Sequence, residues 1–291
     1  VDEGETMAKI IDGKAVAEKI RSEIGKEVKK LKRSRKIVPG LAVVLVGENE
    51  ASKIYVKNKI AACEKVGMKS FHYHLPEKTS EKKLLQFIAK LNRNRKIHGI
   101  LVQLPLPSHI HPDRIVEAID PKKDVDGLHP YNLGRLAVGK PVFVPCTPAG
   151  ILRILDEIKF DCTGKEAVVV GRSNIVGKPI AFLLLSRNAT VSMCHSKTKD
   201  LLIKMKMADL IIAAAGVAQL VKGAWVKKGA VVIDVGINRS QDGRLVGDVD
   251  FKTVEPVASY ITPVPGGVGP MTITMLLWNT LEAAKRAVAK K

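Results

Sequence analysis

Short β-branched apolar runs alternate with stretches of helical periodicity along most of this 291-residue chain, and that alternation restricts the fold more than any other feature. Residues 41–46 form one such run, closed by Gly47, and a helical pattern follows over about residues 52–66 and stops at Gly67. Residues 71–75 then read as a strand, 80–91 as a helix with Leu84, Leu85, Ile88 and Leu91 apolar, and 99–102 as a buried strand. Ahead of them, the basic run 26–36 is the wet face of a helix whose apolar face is Val16, Ile20, Ile24, Val28 and Leu31. Strands separated by helices predict a parallel sheet with helices on both faces.

The grammar pauses and then restarts. Between residues 104 and 148 eight prolines break any long periodicity, so this region is expected to be loops facing a site. A helix at about 148–158 leads to a strand at 167–170, a helix at 177–186, a strand at 190–194, a helix up to Met207, and strands at 210–214 and 230–235. That order is the grammar of a dinucleotide-binding fold. The tail 272–291 reads as a strong helix that returns to the first region. The expected fold class is therefore α/β with two α/β domains, the second Rossmann-like: residues 1–147 plus 272–291, and residues 148–271. A chain of this length favours two domains on its own account.

Composition narrows the function classes. The apolar fraction of 46% and charged fraction of 26% are those of a globular protein. No apolar run approaches the roughly 18 residues of a membrane span, so a soluble protein without a membrane partner is expected. Residues 1–6 are acidic where a secretory signal would be basic, and read as an extension ahead of Met7. Cys63, Cys146, Cys162 and Cys194 lack metal-ligand spacing, so no metal and a reducing compartment are expected. The net charge of +19 implies attraction to an anion, whether nucleic acid, a phosphorylated cofactor or a carboxylate-rich substrate. An aromatic content of 4%, with no basic stripe interleaved with aromatics, argues against nucleic acid.

The strand at 167–170 runs straight into Gly171-Arg172-Ser173-Asn174-Ile175-Val176-Gly177, which opens a helix. In that position backbone N–H groups and the positive helix end can hold a pyrophosphate. The loop departs from GxGxxG because Ser173 stands at the middle glycine. An NAD site carries an acid at the end of the next strand to bind the ribose 2′-hydroxyl. Here that place reads Cys194-His195-Ser196-Lys197, without a carboxylate. Ser196 and Arg172 suit a 2′-phosphate instead, so NADP is expected; His195 reads as an ordinary strand-end histidine.

In the first region Tyr55 and Lys59 stand four residues apart, one turn apart on one helix face. Taken alone such a pair is better explained as a surface pair or a snorkelling lysine. Their helix, however, starts at the carboxyl edge of a sheet, where α/β proteins bind ligands. Val102-Gln103-Leu104-Pro105-Leu106-Pro107 and Lys123-Asp124-Val125-Asp126-Gly127 also lie at element ends, and either could be a plain turn. Pro263-Val264-Pro265-Gly266-Gly267-Val268-Gly269-Pro270-Met271 reads as a hinge, or as a floor for a flat ligand.

Taken in order, these five motifs resemble the methylenetetrahydrofolate dehydrogenase/cyclohydrolase family, and the resemblance runs from Met7 to the last helix. It implies oxidation of 5,10-methylene-tetrahydrofolate with NADP and hydrolysis of the methenyl product to 10-formyl-tetrahydrofolate, in one-carbon metabolism. A dehydrogenase without the hydrolase, or a silent member of the family, stays open. The resemblance makes Lys59 the catalytic residue, with Tyr55 packing on the folate, Gln103 bonding the lysine and Asp126 holding the pterin. It adds Val102, Leu104 and Pro265, Gly266, Gly267, Val268 and Gly269 to the folate site, and Ile237 to the cofactor site of Gly171, Arg172, Ser173, Gly177 and Ser196. It further implies a cleft between the domains, a folate that can carry a polyglutamate tail, a homodimer built through the cofactor domain, and a cytoplasmic or organellar setting. An amine at its free pKa of about 10.4 is a poor base at neutral pH, so a partly desolvated site beside a cationic folate is expected to favour its neutral form.

Overall fold

The computed structural model describes residues 7–240 and 242–289, so the reading of residues 1–6 lies outside the described residues. In chain order the elements are β1 (Lys9–Ile10), α1 (Gly13–Arg35), β2 (Gly40–Val46), α2 (Glu50–Lys65), β3 (Lys69–Leu75), α3 (Glu81–Arg93) and β4 (Gly99–Val102). Then come α4 (Pro112–Glu117), α5 (Pro130–Ala137), α6 (Cys146–Glu157), β5 (Glu166–Val170), α7 (Gly177–Leu185), β6 (Thr190–Cys194), α8 (Leu201–Met207) and β7 (Leu210–Ala213). A 3₁₀ turn at Gly223–Trp225 precedes β8 (Val231–Asp234), the hairpin strands β9 (Asn238–Arg239) and β10 (Leu245–Val246), α9 (Phe251–Val254), β11 (Tyr260–Ile261) and α10 (Val268–Ala289).

The chain divides into two compact units, Glu18–Cys146 with Ile273–Lys291, and the segment up to Ala17 with Thr147–Thr272. In the first, β2 is flanked by β3 and β4 in a three-stranded parallel sheet. Every residue of β2 is buried, which is why its run is continuously apolar rather than alternating. Leu84, Ile88 and Leu91 of α3 pack with Ala42, Val44 and Val46 of β2 and with Ile115 of α4. Ser80 caps α3 by accepting from Lys83 N, and Asn49 caps α2 with Oδ1 accepting from Ser52 N at 3.0 Å.

In the second unit six parallel strands run β1-β11-β8-β7-β5-β6, so the carboxyl ends of β5, β6, β7 and β8 share one edge. β1 corrects the expected division: Lys9 and Ile10 pair with Tyr260 and Ile261, which takes the N-terminal segment into the dinucleotide-type sheet. A two-residue strand has too little sequence pattern to be read.

Two further corrections concern prolines. The region read as loops holds α4 and α5, each begun by a proline, because proline's fixed φ suits a helix's first position and its missing N–H is unneeded there. The last helix starts at Val268, so Val268 and Gly269 belong to its first turn and not to a loop.

Candidate active site

In the first unit β2 ends at Val46 and α2 opens after Asn49, which brings Tyr55 and Lys59 onto the helix that leaves the carboxyl end of the sheet's central strand. Tyr55 is exposed, 41% of its surface being open to solvent, and Lys59 is half-buried. Lys59 Nζ donates to Gln103 Oε1 at 2.9 Å. Gln103 follows β4 directly; its main-chain N–H bonds Val44 O, and its Nε2 donates to Leu104 O at 2.6 Å. The side chain is therefore gripped at its amide end, and its carbonyl is left to face the lysine. Val102 is buried at the end of β4, and Leu104 is joined to Pro105 by a cis peptide bond.

The two acids of the Asp-Val-Asp-Gly loop have divergent roles. Asp124 is 1% exposed and is spent on its own loop, accepting from Leu128 N, His129 N and Asn132 Nδ2. Burial raises its carboxyl above the ordinary range against those bonds. Asp126 keeps a partly exposed side chain. Gly127 holds φ of +76°, and a Cβ there would lie 2.7 Å from Pro145 N, so only glycine lets the loop press against residues 144–146.

Two further residues complete this corner. Cys146 Sγ donates to Val125 O at 3.3 Å; burial first, and then the Asp126 carboxylate, push its thiol well above the ordinary range, while Lys59 opposes them. A thiol buried in this way packs rather than reacts. Asn279, on α10, donates from Nδ2 to Val125 O at 2.9 Å and Val144 O at 3.0 Å, tying both sides of the corner. The signal for Asn279 was a lone amide on an apolar helix face.

In the second unit Gly171 follows β5 with φ of +135°, and a Cβ there would lie 2.0 Å from Ala214 O. The backbone of this loop accordingly lies against the end of β7, as a cradle for a phosphorylated dinucleotide requires. Ser173 Oγ accepts from Val176 N at 3.1 Å and Gly177 N at 3.3 Å, so it occupies two of the α7 donors that the sequence had assigned to phosphate. Arg172 and Ser196 are exposed near the ends of β5 and β6, and Ile237 is 53% exposed beyond β8. His195 shapes its own turn, Nδ1 accepting from Lys197 N and its N–H donating to Thr198 Oγ1. Pro265 follows a cis bond from Val264, Gly266 has φ of +110°, and Gly267 N donates to Pro263 O, giving a compact turn before α10. The structure thus brings Lys59, Gln103 and Asp126 into one corner of the first unit, and Gly171, Arg172, Ser173, Gly177, Ser196 and Ile237 to one edge of the second sheet.

Residues 11–126 match the family model of the tetrahydrofolate dehydrogenase/cyclohydrolase catalytic domain, and residues 145–288 that of its NAD(P)-binding domain. The bifunctional protein FolD of Geotalea daltonii is 64% identical over 96% of this chain and all of its own. The crystal structure of the bifunctional FolD from Campylobacter jejuni superposes with a TM-score of 0.94 at 52% identity, covering 96% of this chain and 99% of that one. The Trypanosoma brucei FolD, solved with NADP and an inhibitor, gives 0.93 at 41% identity, covering 97% and 99%. With both domain models matched in order along the α/β fold derived above, the chain belongs to the tetrahydrofolate dehydrogenase/cyclohydrolase family.

Proposed function

We propose that the chain oxidises 5,10-methylene-tetrahydrofolate with NADP and hydrolyses the methenyl product to 10-formyl-tetrahydrofolate. The observation that carries this reading is the 2.9 Å bond from Lys59 Nζ to Gln103 Oε1, in the same corner as Asp126, in a chain whose relatives bear bifunctional names.

Hydrolysis needs a base where water meets the cationic methenyl carbon. The Lys59 amine takes a proton from water as the new C–O bond forms; as the adduct collapses its hydroxyl loses its proton to form the C=O, the C–N5 bond breaks and N5 takes up a proton, and the ammonium of Lys59 returns the remaining proton to solvent. Gln103 is an acceptor without charge, so it orients the amine without stabilising the ammonium as a carboxylate would. Asp126 offers paired acceptors to the N–H groups of the pterin, and the exposed Tyr55 ring offers a face for packing. Val102 and Leu104 flank Gln103 where β4 ends and are read as part of the same site.

NADP supplies the hydride acceptor for the first step. The Gly171 cradle, with Arg172, Ser173, Gly177, Ser196 and Ile237, would hold it, and the absence of an acid at Cys194-His195-Ser196-Lys197 supports NADP over NAD. Preference for NADP is checked by kcat/KM with each dinucleotide; a higher value with NAD refutes it. We read the enzyme as a homodimer joined through the dinucleotide unit, working in a cytoplasmic or organellar compartment on folates that include polyglutamylated forms. Its four cysteines are all buried as free thiols, which supports a reducing setting, and no described helix is long and apolar enough to cross a membrane. Sedimentation of the full chain tests the dimer.

The lysine assignment is tested with Lys59→Met. Hydrolysis of the methenyl compound is expected to vanish while some NADP reduction survives. Retention of both activities in equal measure overturns the role of Lys59.

A further inference from the structure

Two buried carboxylates stand apart from every residue assigned above. Asp234, the last residue of β8, is 4% exposed, and Asp248, just beyond β10, is fully buried. Asp234 Oδ1 accepts from Gly236 N and Asp248 N, each at 2.9 Å, and its Oδ2 from Val249 N at 3.0 Å. Asp248 Oδ2 accepts from Ala215 N at 2.6 Å and Gly216 N at 2.8 Å, and its Oδ1 from Asn238 Nδ2 at 2.9 Å. These bonds knot together the loop after β7, the loop after β8 and the return of the β9–β10 hairpin. The approach is close: a Cβ on Gly236 would lie 2.2 Å from Asp248 Oδ1, and one on Gly247 would lie 1.8 Å from Asp234 Oδ2.

Both loops leave the sheet at the edge that carries the Gly171 turn. Asp248 fixes the amides of Ala215 and Gly216, next in the chain to the Ala214 carbonyl against which Gly171 packs. Through Asn238 it also fixes the residue following Ile237. A buried acid is costly to keep unless its donors are all supplied. An ionised carboxylate is acceptor-only and so meets three N–H donors without conflict, whereas an amide in its place sets its own NH₂ against one of them.

We propose that Asp248 is a positioning residue for the dinucleotide: it touches no cofactor atom, but it sets the loops after β7 and β8 in the register that receives NADP. The proposal rests on the reading of Gly171 and Ile237 as cofactor-binding residues.

The test compares the full-length wild-type chain with Asp248→Asn by titration calorimetry with NADP, by hydrolysis of methenyl-tetrahydrofolate without NADP, and by amide exchange at Ala215 and Gly216. The expected result is a Kd for NADP about tenfold weaker, faster exchange at those two amides, and a hydrolysis rate close to wild type. A variant that melts at lower temperature yet binds NADP within twofold of wild type overturns the proposal, because a merely structural residue behaves in that way. If Asp248→Asn does not fold, Asn238→Ala decides the matter: it removes one donor, and an unchanged Kd overturns the positioning role while a Kd about threefold weaker supports it. Failure of the wild-type chain to bind NADP overturns the cofactor reading itself, and this proposal with it.

Discussion

The amide of Gln103 gives Lys59 an acceptor at 2.9 Å that carries no charge, and a change of one atom tests whether neutrality matters. Gln103→Glu keeps the size and sets an anion against the amine, so the pH–rate profile of hydrolysis is expected to move to higher pH, with a rate at neutral pH roughly tenfold or more lower. An unmoved profile refutes the base role. Gly171→Ala, with its Cβ 2.0 Å from Ala214 O, is expected to lose measurable NADP binding while hydrolysis survives; calorimetry and the methenyl assay read the two outcomes. At this scale the sequence named Lys59, Gln103 and Asp126 but could not say why the loop holds two acids. The answer lies in the next element, since Asp124 is consumed by Asn132 and two backbone N–H groups whose position depends on α5. Asn279 was invisible for a different reason, its partners Val125 and Val144 lying more than a hundred residues away in sequence.

Helix α2 carries Tyr55 and Lys59, and its start is fixed by the Asn49 cap. Asn49→Ala is expected to cost about 1 kcal/mol of stability, read by urea denaturation, and to loosen the first turns of that helix. Leu84 is fully buried between α3 and β2, and Leu84→Ala is expected to cost about 2 to 5 kcal/mol by leaving a cavity. Elements with a full apolar period, such as α3, β2 and β5, were legible because burial writes itself into the spacing of apolar residues. The elements missed were those without room for a period: β1, β9, β10 and β11 have two residues each, and α4 and α5 open on prolines that read as breaks. Their existence is decided by tertiary pairing.

For the molecule as a whole, burial raises the Asp234 carboxyl from an ordinary 3.8 to about 7, against three N–H bonds that favour its anion. Below about pH 4 both native and unfolded chains hold this proton. As pH climbs toward 7 the unfolded chain releases it and the native chain does not, so this group's contribution to stability falls across that window and levels off above it. Asp124, raised in the same direction, adds to the decline. Asp234→Asn is expected to flatten the fall of Tm between pH 4.5 and 7, and an equal slope in both proteins refutes the assignment. The two-unit α/β plan was legible from the repeated alternation of strands and helices, but the membership of the N-terminal segment was not. Lys9 and Ile10 find their only strand partners among the described residues at Tyr260 and Ile261. Because a ribosome makes those partners some 250 residues later, the sheet of the dinucleotide unit stays open at one side through most of synthesis, and that unit closes only when roughly the last tenth of the chain is reached.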